Sequence, residues 1–227
     1  MKKLLVLILW VGLASHLSAQ QSVTRAIGSF VGVKAEEGID VYLKKGSKES
    51  VRIDVTGTSP ENIITEIAGS YLKIHMRDGR YRGKTEIKVY VTYVTLSKLS
   101  VSSAASIFSD EPIRSNSLEI SASSAGSIEI IAEANTIEIS TSSAAEVEVK
   151  GKTKGLKIDV SSAGEVDAYD LEAESVKAEA SSAGSVKINV TRELTAHASS
   201  GAGIRYRGNP DRSNTSSSSG GSVKKSN

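Results

Sequence analysis

Ser123-Ser124-Ala125-Gly126-Ser127-Ile128, Ser142-Ser143-Ala144-Ala145-Glu146-Val147, Ser161-Ser162-Ala163-Gly164-Glu165-Val166 and Ser181-Ser182-Ala183-Gly184-Ser185-Val186 are four copies of one hexad. Ser102-Ser103-Ala104-Ala105-Ser106-Ile107 precedes them and Ser199-Ser200-Gly201-Ala202-Gly203-Ile204 follows. Ser218-Ser219-Gly220-Gly221-Ser222-Val223, within what first reads as a Ser/Gly tail, is a seventh, degenerate copy. The first serines stand 21, 19, 19, 20, 18 and 19 residues apart. A fixed period near twenty marks a solenoid, in which each unit buries its apolar face only against its neighbours.

The residues between hexads say which solenoid. Before each serine pair the sequence alternates: Leu118, Ile120 and Ala122 share one side, Glu119 and Ser121 the other. The same parity holds for Ile137/Ile139, Leu156/Ile158/Val160, Val176/Ala178/Ala180 and Leu194/Ala196/Ala198. After the pair it resumes with Ile128/Ile130, Val147/Val149, Val166/Ala168, Val186/Ile188 and Ile204/Tyr206, which also places Tyr206 in the core. Period two is the strand period, and no 3.6-residue pattern competes with it. The reading is an all-β, parallel β-solenoid (β-helix) with coils of about 19–20 residues, two or three short strands each, stacked about 4.8 Å apart. Right-handedness is the expectation from the bias of parallel crossovers.

The hexads then make the corners. Small residues fit a tight bend, Gly permits unusual dihedrals, and stacked hydroxyls can bond one another or backbone. Seven near-identical copies with no histidine close in sequence argue against a serine nucleophile.

Outward from the repeats, residues 20–97 are also β but less regular. Residues 30–34, 39–43, 50–56, 71–76 and 85–94 alternate, with Ile87, Val89 and Val91 set against Glu86, Lys88 and Tyr90. Turn signals separate them: Glu37-Gly38, Lys45-Gly46, Thr58-Ser59-Pro60, Asp78-Gly79 and Arg82-Gly83. This region is expected to form first coils or a cap, because an open solenoid end exposes strand edges and core. Residues 98–227 hold the regular coils, the last one degenerate. Residues 1–19 read as a secretory leader: Lys2 and Lys3, an apolar run from Leu4 to Leu13, then the small-residue site Leu17-Ser18-Ala19. No later stretch approaches the roughly twenty apolar residues of a spanning helix.

Composition narrows function. The chain has 28 Lys plus Arg and 26 Asp plus Glu. Two lysines leave with the leader, so the mature chain is formally neutral, without the basic excess that nucleic-acid binding needs. Cysteine is absent, which excludes disulfides, thiol catalysis, zinc–thiolate sites and a lipid-modified N-terminal Cys. Trp10 lies in the leader, and only two Phe and seven Tyr occur in the chain. The core is therefore expected to be thin layers of small aliphatic side chains.

The order Gly38-Ile39-Asp40-Val41-Tyr42-Leu43, Tyr71-Leu72-Lys73-Ile74, Ile87-Lys88-Val89-Tyr90-Val91, serial Ser-Ser-Ala-Gly-Ser-Val, then Tyr206-Arg207-Gly208-Asn209-Pro210 resembles the head GIN domain family of secreted bacterial proteins, described as auto-transporter adhesins. The resemblance covers nearly all of the mature chain. It implies a right-handed parallel β-helix at or outside the cell envelope and supplies no catalytic residues.

Stacked coils turn each outward position into a column. Two columns precede the corners: Lys98, Glu119, Glu138, Lys157, Lys177, Thr195, and Ser100, Ser121, Ser140, Asp159, Glu179, His197. A third follows them: Phe108, Glu129, Glu148, Asp167, Lys187, Arg205, with Glu146 and Glu165 two positions before Glu148 and Asp167. The carboxylates Glu129, Glu146, Glu148, Glu165 and Asp167 thus gather on three neighbouring coils. Like charges at strand spacing repel, so the patch either splays into water beside Lys150 and Lys187, binds Ca²⁺ through oxygen ligands, or docks a basic partner. A second candidate is the cationic loop Arg80, Tyr81 and Arg82 beside Tyr90 and Tyr93, suited to anionic glycan or phospholipid. His75 and His197 are single strand residues expected to point outward.

Two classes of function follow. The leading one is an exported, non-enzymatic binding protein of the periplasm, outer-membrane surface or exterior, offering a rigid face to glycan or protein. The rival is a polysaccharide-acting enzyme using the acidic patch, since paired carboxylates hydrolyse glycosides; against it, one flat column supplies no cleft or lid. A plain structural role in the envelope is the third.

Overall fold

The computed structural model describes residues 20–79 and 85–226. Among them the chain is β throughout, apart from one 3-10 turn at Pro60–Asn62. Eight short strands come first: β1 (Gln21–Ala26), β2 (Gly32–Ala35), β3 (Asp40–Lys45), β4 (Ser50–Thr56), β5 (Ile63–Ala68), β6 (Tyr71–Met76), β7 (Glu86–Tyr93) and β8 (Lys98–Val101). Five long ones follow: β9 (Ser106–Ala122), β10 (Ser127–Thr141), β11 (Glu146–Val160), β12 (Glu165–Ala180) and β13 (Ser185–Ala198). β14 (Gly203–Arg207), β15 (Arg212–Ser217) and β16 (Ser222–Lys225) complete the chain.

The strands stack into a β-solenoid with two long faces meeting at the hexad corners. The leading face, which runs into the corner, stacks β6, β2, β8 and the second halves of β9 to β13, then β15, all in parallel. The trailing face, which leaves it, stacks β7, β3, the first halves of β9 to β13, then β14 and β16, also in parallel. Each coil from β9 to β13 is thus one strand of 14–17 residues rather than two or three short ones. The ladder survives the bend between faces because register slips absorb the extra residues there, as at Glu148/Gly151 and Ala168/Glu172. Gly151, at φ +117, lies in one such bend, and a Cβ on it would lie 2.2 Å from the carbonyl oxygen of Ala132.

The corners are backbone structures. In each hexad the fourth residue donates its N–H to the first serine's carbonyl, for example Gly126 to Ser123 and Gly164 to Ser161, both at 2.9 Å. The third residue donates to the next corner, Ala125 to Ser143 and Ala144 to Ser162. The left-handed dihedrals fall on the second and third residues, Ser124 at φ 49 and Ala125 at φ 59, as in a type I′ turn. Gly126, Gly164 and Gly184 have ordinary φ and point inward instead. A Cβ on Gly184 would stand 2.8 Å from Val160 Cγ1. These inner glycines therefore serve close approach, whereas Gly201 and Gly220, third in the last two hexads, take the left-handed dihedrals expected of glycine, at φ 75 and 77. Nor do the corner serines bond one another through their hydroxyls among the described residues.

The N-terminal strands extend the same stack. Glu36-Glu37-Gly38-Ile39 joins β2 to β3 as a corner without serines: Glu37 and Gly38 have φ 66 and 67, and Gly38 donates to Ser103 at 2.9 Å. β6 and β7 lie above that coil, and β5, β4 and β1 close the end in antiparallel pairing. Inside, the columns Leu118/Ile137/Leu156/Val176/Leu194 and Ile128/Val147/Val166/Val186/Ile204 are buried, each large aliphatic side chain contributing roughly 1.5–3 kcal/mol. Tyr206 is only partly buried against this core. Tyr93, expected beside Tyr90 at the surface, is 2 % exposed; the alternation that sends Tyr90 outward sends Ile87, Val89, Val91 and Tyr93 in.

Candidate functional site

Strand register aligns one outward column along the whole trailing face. It reads Thr24, Arg52, Tyr90, Tyr42, Phe108, Glu129, Glu148, Asp167, Lys187, Arg205, Lys224. Aromatic, acidic and basic segments succeed each other in that order.

In the acidic segment Glu129, Glu148 and Asp167 are adjacent, and Glu146 pairs with Glu165 in the column beside them. The two lysines of the patch meet the repulsion. Lys150 Nζ lies 2.8 Å from Glu148 and 3.5 Å from Glu129. Lys187 Nζ lies 2.9 Å from Asp167 and 3.1 Å from Glu165. Donating a hydrogen bond to Glu148 holds the Lys150 ammonium above its ordinary range, and donation to Asp167, then to Glu165, does so for Lys187. Among the described residues no set of three or more Asp, Glu or His is placed to hold one metal ion. Such exposed pairs, screened by water and salt, add little to stability.

The aromatic segment is the feature that sequence reading missed. Tyr42 lies between Tyr90 and Phe108, ring centroids 5.2 Å apart on both sides and planes within 21° and 24°. The Arg52 guanidinium caps Tyr90 at 4.2 Å from its centroid. Burial, then the neighbouring Asp40, pushes the Tyr42 phenol above its ordinary range. The three rings line a concavity of about 630 Å³ rimmed by Lys44, Ser50, Arg52, Asp110 and Glu111. Tyr42 escaped notice because its coil carries no serine hexad. Aligning Glu37-Gly38 with Ser103-Ala104 would have set it over Phe108.

Arg80, Tyr81 and Arg82 lie outside the described residues. His197 is exposed and bonds Ser216 Oγ at 2.9 Å; it lines a groove of about 430 Å³ on the leading face with Asp159 and Glu179. His75 is half-buried, with Nε2 3.7 Å from Glu66. His197 stands between Glu179 and Ser216 in strand register, but it forms no ion pair with a carboxylate among the described residues, so the orienting contact of a catalytic triad is missing.

Residues 29–210 match the family model described as "Putative auto-transporter adhesin, head GIN domain". No curated protein matches the chain in sequence. Among solved structures, a putative adhesin from Bacteroides fragilis NCTC 9343 superposes with TM-score 0.79 at 17% identity, covering 92% of this chain and 97% of its own. A putative adhesin from Parabacteroides merdae ATCC 43184 gives 0.73 at 17%, covering 92% and 96%. A structure from Parabacteroides distasonis ATCC 8503, described as a putative lipid binding protein, gives 0.72 at 19%, covering 92% and 97%. At such identities the likeness is one of fold.

Proposed function

The chain belongs to the head GIN domain family, and from that premise we propose that it is an exported, non-enzymatic surface binding protein whose ligand is a glycan held in the Tyr90–Tyr42–Phe108 concavity. One observation carries the reading: in a chain with two Phe and seven Tyr, three of these rings share one column at the floor of a polar-rimmed hollow. Stacked on one another beneath Arg52, the rings offer their edges as a rigid apolar surface for the C–H groups of a sugar, with the Tyr42 and Tyr90 hydroxyls as hydrogen-bonding groups. Rim hydroxyls, carboxylates and the Arg52 guanidinium suit its hydroxyls, and an apolar floor with a few convergent polar groups is the usual make-up of a ligand site. Residues 1–19 supply the export leader in this reading.

A glycan array run beside a reducing-sugar release assay tests it. Binding without turnover is expected, and Tyr42→Ala weakens it by about tenfold or more while the melting temperature stays near that of the parent. Equal binding by Tyr42→Ala overturns the site. Sugar release that disappears in Glu148→Gln overturns the non-enzymatic assignment.

A further inference from the structure

The charge of the chain is distributed unevenly along the solenoid axis. Residues 102–190 carry seven Lys plus Arg against fifteen Asp plus Glu; residues 191–227 carry six against two. Because chain order follows stacking order from β9 onward, the last rungs are a cationic end on an acidic waist. Lys187, Arg205 and Lys224 are adjacent in one column, at the strand spacing of about 4.8 Å. Lys187 is matched by Asp167 and Glu165, whereas Arg205 and Lys224 have no carboxylate partner among the described residues. Arg207 is held outward by stacking on Tyr169 at 4.0 Å, and Lys225 is fixed by Asn209 at 2.5 Å. Around the side of the same rungs stand Arg192 and Arg212, each on a single glutamate.

We propose that this C-terminal end docks on a layer of anionic lipid headgroups, with phosphate as the group recognised. The placement of the cations selects that partner. A linear polyanion would follow one column, whereas these charges ring the terminal rungs on more than one side, as contact with a planar surface requires. The only exposed large hydrophobics among the described residues are Val31, just before β2, and Ile67, in β5. Attachment is therefore electrostatic, with no inserted apolar anchor, and strongly salt-dependent. Six strand steps separate Lys224 from Phe108, roughly 29 Å, so an end-on dock holds the aromatic concavity on the flank of the rod, clear of the membrane. This inference does not depend on what that concavity binds.

Sedimentation of the purified protein with mixed phosphatidylglycerol–phosphatidylcholine vesicles, against pure phosphatidylcholine, tests it. Binding only to the anionic vesicles is expected, declining steeply between low and physiological salt. Arg205→Ala and Lys224→Ala each weaken it by about fivefold, and Arg205→Glu with Lys224→Glu by more, while Lys48→Glu, a charge reversal near the other end, leaves it within about twofold. Circular dichroism establishes that each variant is folded. Unchanged binding by the double reversal, or an equal loss in Lys48→Glu, overturns the proposal. So does capture by dextran sulfate without any by vesicles, which assigns the cations to a soluble polyanion.

Discussion

Tyr93 is 2 % exposed and its hydroxyl meets no hydrogen-bond partner within the protein. A buried, unpaired hydroxyl is destabilising, so Tyr93→Phe is expected to raise stability by about 1–2 kcal/mol, read as a higher melting temperature. Burial first, then Glu111, raises the Tyr93 phenol above its ordinary value of 10.0. The folded state therefore holds that proton more tightly than the unfolded chain. The resulting stability is complete below the ordinary value and is lost as pH rises through the raised one. The phenylalanine variant should show a shallower alkaline loss; parallel alkaline curves would refute this account of Tyr93. Residues also explain where the corners were misread. Small hexad residues forecast a tight bend correctly, but apart from Gly201 and Gly220 the left-handed dihedrals sit on Ser and Ala, at a cost of roughly 1–2 kcal/mol each. Backbone bonds within each corner and to the next coil hold them there.

At the scale of elements, β15 shows how the stack stops. Its inward positions Ser213, Thr215 and Ser217 lie against Leu194, Ala196 and Ala198 of β13, and all three are exposed. Hydroxyls where aliphatic groups are due make the end unattractive to another strand or core. Replacing Ser213 with Leu and Thr215 with Val should restore the apolar column and produce concentration-dependent association by light scattering. Particles of unchanged mass would mean that these side chains are not the stop. At the opposite end the same hazard is met by antiparallel strands. The turn signals and alternation of residues 20–97 forecast strands there, but not that β2 and β3 form a coil while β4 and β5 fold over it.

The whole molecule is quasi-one-dimensional, each rung touching only its neighbours, so local stability should follow rung composition. Amides of β14 to β16 are expected to exchange with solvent well before those of β10 and β11, whose inward side chains are nearly all aliphatic and buried. Uniform protection along the axis in a hydrogen-exchange experiment would contradict that picture. The axial charge pattern belongs to this scale too. The near balance of 28 Lys plus Arg against 26 Asp plus Glu conceals a cationic end and an acidic waist, which only a rod with chain order laid along its axis keeps apart.

The repeat by itself determined the solenoid, its coil length, its corners and the composition of its outward columns, since a period near twenty with strand alternation has few other ways to bury its aliphatic face. The acidic carboxylates fell on neighbouring coils as their spacing required. Tertiary structure decided how their repulsion is met: Lys150 and Lys187, already beside the patch in sequence, each bridge two of its carboxylates, a matter of side-chain length and direction that register does not encode. It also decided the aromatic segment, because Tyr90, Tyr42 and Phe108 come from β7, β3 and β9, stacked out of chain order. A period read along the sequence finds only neighbours that follow one another, and the first coils of this protein do not.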